Sequence, residues 1–120
     1  MWGSRKQTTV ALSSAEAEYV ALSVASSEAW WLKKILSNFH IKTNEVILHE
    51  DNEPAIKNAH NPEVRKIKQL DLKKYFVKDK LKDQIIKIVY VSSTDQIADM
   101  FTKCLGNTLF IKFRDKVFNV

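Results

Sequence analysis

Cysteine, glycine and proline are all scarce in this chain. A single cysteine, Cys104, among 120 residues excludes an internal disulfide. A reducing compartment, cytoplasmic or nuclear, is therefore expected. Two glycines and two prolines are too few for a β-sandwich or barrel with many tight turns, and they argue against long loops. No apolar run approaches the roughly 18 residues of a membrane span. Trp2, Gly3, Ser4, Arg5 and Lys6 are not followed by the apolar core of a secretory leader. Glycine-rich phosphate loops and Cys/His zinc spacings are missing too, and His40, His49 and His60 are scattered. No nucleophilic triad suggests itself. The paired serines stand beside helix and strand ends, where capping explains them, and Cys104 reads as a small packed side chain.

What is present is a folded, basic chain. Hydrophobic residues make up 45% of it, which fits one domain with one modest core. The net charge of +5 fits a nucleic-acid partner, though it fits many other proteins as well.

Periodicity gives the elements. Residues 5–12 (RKQTTVAL) read as a strand that Ser13 and Ser14 stop. Residues 14–38 read as a long helix, with Leu22, Ala25, Ala29, Leu32 and Leu36 stepping by three and four along one face. Ser13 and Glu16 form a capping-box pattern, and Lys33 and Lys34 suit the helix C-terminus. Residues 45–50 (EVILHE) read as a buried strand, with a short helix over 54–60 that Asn61-Pro62 ends. Residues 63–68 form a basic connector. A helix over 69–82 follows, with Leu70, Val77 and Leu81 on one side. Residues 85–91 (IIKIVYV) make the clearest strand, and Ser92 and Ser93 can cap a helix over 94–104. A last helix over 107–118 carries Leu109, Phe110, Phe113 and Val117. The order β-α-β-α-α-β-α-α predicts an α/β layer structure. No internal repeat, low-complexity segment or domain boundary interrupts it.

Three acidic residues are placed oddly. Glu18 falls on the apolar stripe, four residues before Leu22. A carboxylate there needs a partner, unless it lies half-exposed at a frayed helix start. Glu16 sits about 200° away around the helix and has the capping role. Asp51 follows an apolar strand, where α/β sheets gather ligands and metals, but Asp51 or Asn52 also suits the cap of the next helix. Asp99 lies among Ile97, Ala98, Met100 and Phe101, with Lys103 four residues on for an ordinary ion pair. Arg65, Lys66 and Lys68, with Lys57, Lys73 and Lys74, read either as a phosphate-tracking surface or as a solvated face.

Longer segments carry a resemblance. WGSRKQTTVALSSAEAEYVAL (2–22), EAWWLKKIL (28–36), HEDNEPAI (49–56), DLKKYFVKDKL (71–81) and YVSSTDQIADMFTKCL (90–105) resemble, in order, the ribonuclease H domain of copia-type retrotransposon Pol polyproteins. The likeness covers nearly the whole chain, with 1–106 as the family core and 107–120 as a C-terminal helix. It implies a ribonuclease H-like fold, with cleavage of the RNA strand of RNA–DNA hybrids as the family activity. Four carboxylates in that family hold two Mg2+ or Mn2+ ions for displacement at phosphorus. Carried across, the second carboxylate falls on Glu18, the third on Asp51 and the fourth on Asp99. The first lies upstream of the segment where this chain starts, together with the family's first two strands. The expectation is thus a fold lacking those strands, inactive alone, with an unpaired sheet edge open to other chains. An RNA–DNA hybrid or other nucleic acid and the rest of a Pol polyprotein are the partners implied. The family's two histidines near 68–76 and its proline at Cys104 are replaced here, away from the three carboxylates.

Overall fold

The computed structural model describes Lys6, residues 13–61 and residues 69–119, with side chains from residue 72 in the last stretch. The expected strand over 5–12 and the basic connector over 63–68, apart from Lys6, lie outside the described residues. The described elements are α1 (Ser14–Asn38), β1 (Val46–Glu50), α2 (Glu53–His60), α3 (Gln69–Lys82), β2 (Ile86–Tyr90), a 3₁₀ turn (Ile97–Phe101) and α4 (Asn107–Phe118). The architecture is mixed α/β. β1 and β2 pair in parallel, with Val46 opposite Ile86 and Glu50 opposite Tyr90. A parallel pair needs a crossover, which α2 and α3 provide.

One core sits on one face of this two-stranded sheet. It joins Tyr19, Leu22 and Ala29 of α1, Ala55 and Ala59 of α2, Val77 of α3, and Ile86 and Ile88 of β2. Alternation along β1 sends Val46 and Leu48 into that core, and leaves Ile47 and His49 on the other face. Ala55 and Ala59, one helical turn apart and fully buried, let α2 lie close on its neighbours. Trp30 meets Phe76 edge-on at 6.3 Å across the α1–α3 seam. The Lys80 ammonium lies over both rings and pairs with Asp79 at 2.8 Å.

Several expectations need correction. The buried face of α1 is Tyr19, Val20, Leu22, Ser23, Ser26 and Ala29, while Ala25 and Leu32 are exposed. The serines tolerate burial because Ser23 donates to the Val20 carbonyl at 2.9 Å and Ser26 to the Leu22 carbonyl at 2.7 Å. Lys33 and Lys34 do not serve the helix terminus. Lys33 donates to the Asn44 carbonyl at 3.0 Å, and Lys34 lies over the Trp30 ring.

The helix expected over 94–104 shrinks to the 3₁₀ turn. Ser92 and Thr94 hydrogen-bond each other, and Asp95 N–H closes on the Ser92 carbonyl, which holds the chain in a turn. Gln96 is extended and reaches across to the His49 carbonyl at 3.1 Å. Only Phe113 of the α4 apolar set is fully buried, and it lies outside the main core cluster. α4 is tied to the 3₁₀ region through Lys112, which bonds the Thr94 carbonyl and Asp95. No described helix is long and apolar enough to cross a membrane.

Candidate functional site: a carboxylate cluster at the strand ends

The cluster is built at the C-terminal end of β1. The alternation that buries Val46 and Leu48 also buries Glu50, which is 5% exposed. Its Oε1 accepts the Asn52 N–H at 3.0 Å. Burial pushes its carboxyl up to about 7, and the neighbouring Glu18 and Asp51 add to the rise against the pull of the Asn52 N–H. Asn52 accepts the Ala55 N–H at 3.0 Å and so caps α2. Capping therefore belongs to Asn52, and Asp51 is free for other contacts. Asp51 Oδ2 accepts the Ser93 hydroxyl at 2.8 Å, which ties the end of β1 to the loop after β2.

Glu18 comes from the second turn of α1. Ser13 supplies the N-cap by accepting the Glu16 N–H at 3.2 Å, which fixes where that helix starts. The half-buried Glu18 carboxyl is raised by burial first, then by Asp51 and Asp99, while Lys103 lowers it. Asp99 is the buried acid of the 3₁₀ turn, at 8% exposure. Lys103 Nζ pairs with its Oδ1 at 2.9 Å. The ion pair expected from the i, i+4 spacing thus forms, on a buried carboxylate.

The three acids singled out in the sequence therefore share one electrostatic neighbourhood, although they come from α1, the β1 end and the 3₁₀ turn. Among the described residues, no three His, Cys, Asp or Glu side chains are drawn around one point as a metal cage. Lys73 and Lys74 lie half-exposed on α3, while Arg65, Lys66 and Lys68 fall outside the described residues. Glu50 was missed by the sequence reading. The i, i+2 alternation from Val46 and Leu48 was the signal that marks it.

The fold and the site define an α/β protein with acidic residues gathered at parallel strand ends. Comparison with known proteins makes the lineage specific. The chain is 33% identical over 97% of its length to the Retrovirus-related Pol polyprotein from transposon RE1 of Arabidopsis thaliana. It is 30% identical over 91% of its length to the one from transposon TNT 1-94 of Nicotiana tabacum. It spans 8% of each of those relatives. A 31-residue stretch, 26% of this chain, is also 68% identical to Secreted RxLR effector protein 161 of Plasmopara viticola, covering 22% of that protein. No family model and no solved structure matches. The chain belongs with the Pol polyproteins of copia-type transposons, as a segment derived from one.

Proposed function

We propose that this segment derives from the ribonuclease H part of such a polyprotein, and that by itself it does not cleave RNA–DNA hybrids. One observation carries the reading. Asp51 and Asp99, far from Glu18 in sequence and matching with it three carboxylates of the family's motifs, both act electrostatically on the Glu18 carboxyl in the fold. The donor chemistry suits a hard divalent ion such as Mg2+ or Mn2+, which prefers carboxylate oxygens. The arrangement does not. Asp99 holds Lys103, Asp51 holds Ser93, and Glu50 holds the Asn52 N–H. Two-metal displacement needs both ions well placed, and errors of about 1 Å cost roughly a hundredfold.

Nucleic acid is the proposed partner, through the basic balance of the chain and the half-exposed Lys73 and Lys74 on α3. The rest of a Pol polyprotein is a second proposed partner, because the relatives are far longer than this chain. One titration tests both the activity and the nucleic-acid contact. The chain is incubated with a labelled RNA–DNA hybrid in millimolar Mg2+ or Mn2+ across a salt series. The expected result is salt-sensitive binding, weakened by Lys73→Ala with Lys74→Ala, and no cleavage above buffer. Metal-dependent cleavage that Glu18→Gln abolishes would overturn the inactive reading. Absence of hybrid binding at low salt would remove the nucleic-acid contact.

A further inference from the structure

We propose that Lys103 is the resident cation of the carboxylate cluster: anchored on Asp99, its ammonium supplies the positive charge that Glu18, Asp51 and Asp99 require, and a divalent ion must displace it to bind there. The inference stands on charge geometry and does not depend on nuclease ancestry.

The backbone sets the arrangement. Lys103 N–H donates to the Asp99 carbonyl at 2.9 Å, so the two residues face the same side of a single helical turn. The side chain then places Nζ 2.9 Å from Asp99 Oδ1. The burial is asymmetric, with the Asp99 side chain 12% exposed and that of Lys103 52% exposed. The lysine stem therefore runs outward while its charge meets a carboxylate that water hardly reaches. The reach extends past Asp99, because Asp51 and Glu18 act on the same ammonium. At Glu18, Lys103 opposes the repulsion from Asp51 and Asp99. Without it the like charges of Asp51 and Asp99 would act on Glu18 unopposed. One ammonium with a fixed backbone anchor relieves that repulsion within the chain.

The test compares thermal unfolding of the 120-residue chain and of Lys103→Met in EDTA and in millimolar MnCl2 or MgCl2. The wild-type midpoint is expected to stay unmoved by metal. Lys103→Met is expected to unfold about 3 °C or more lower in EDTA and to regain stability saturably with Mn2+, as a native-state site does. Lys103→Arg keeps the charge and should behave as wild type. Should Lys103→Met not fold in EDTA, Lys103→Gln, which keeps a hydrogen bond to Asp99 without the charge, carries the same comparison. A neutral variant as stable as wild type in EDTA overturns the proposal. So does an equal metal response of the two chains, whether both shift or neither does. Hybrid cleavage by the wild-type chain would remove the inactive reading and leave this comparison intact.

Discussion

At the scale of single residues, Glu50 carries the sharpest consequence. Its folded carboxyl titrates at about 7, against an ordinary value of 4.5, because it is buried beside Glu18 and Asp51. The folded state thus holds a proton that the unfolded chain has released over the window between those values. Stability falls as pH rises through that window and is lowest above it. The shift corresponds to a penalty on the order of 3 kcal/mol at pH 8. Glu50→Gln keeps an oxygen for the Asn52 N–H and carries no charge. It should stabilise the chain by up to that amount at pH 8 and leave it nearly unchanged at pH 4, as urea unfolding at the two pH values would read. An equal effect at both would contradict the assignment.

The same scale shows what was legible in the sequence. Glu18 stood out because a carboxylate on an apolar stripe is anomalous, and it does join the cluster. The stripe itself holds at Leu22 and Ala29, which are core residues, and fails at Ala25 and Leu32, which are exposed. Serine counts as polar in any periodicity, yet Ser23 and Ser26 are buried through bonds to their own helix carbonyls. Glu50 is hidden for another reason: residues 45–50 read as one buried strand without its two faces being told apart, and Glu50 shares the core-facing parity of Val46 and Leu48.

At the scale of elements, the helices were largely legible. α1, α3 and α4 have the expected bounds, and α2 starts one residue early. Strong signals explain this: the Ser13 cap, the Asn52 cap with Pro54 in the first turn, and clear apolar periods. The segment after β2 was not legible, because hydroxyls at Ser92 and Thr94 and the reach of Gln96 to β1 depend on the folded surroundings.

The scarcity of glycine leaves a mark at the helix ends. α1 and α3 are followed by His40 and Gln84 in left-handed backbone, at φ 59° and 54°. Behind α3, Ile85 N–H reaches the Lys80 carbonyl at 3.0 Å and Gln84 N–H the Leu81 carbonyl at 3.1 Å. A side chain in that region costs about 1–2 kcal/mol, partly offset by the greater freedom of unfolded glycine. Gln84→Gly should therefore stabilise the chain by roughly 0.5–1 kcal/mol, read as a higher urea midpoint at unchanged slope. A loss of stability would contradict the left-handed assignment.

At the scale of the whole molecule, the α/β class follows from the alternation of strands and helices, and the parallel pair bears that out. The expected first strand lies outside the described residues. Within them, helices α1, α2 and α3 share a single core on one face of β1 and β2. That one-sidedness places the acidic end of β1 beside α1, while the segment of the 3₁₀ turn that carries Asp99 is tied to β1 through Gln96 and to α4 through Lys112. It also leaves Ile47 of β1 exposed at 55%. The chain spans 8% of the length of the Pol polyproteins it matches.

The most direct measurement of this account is a carboxyl NMR titration of the folded chain, with Glu50 assigned by its loss in Glu50→Gln. If the four carboxylates gather as described, Glu50 titrates near pH 7 and moves downward in Glu18→Gln and in Asp51→Asn, because each removes a neighbouring negative charge. A Glu50 carboxyl that titrates near 4.5 and ignores both substitutions would mean that the cluster does not assemble.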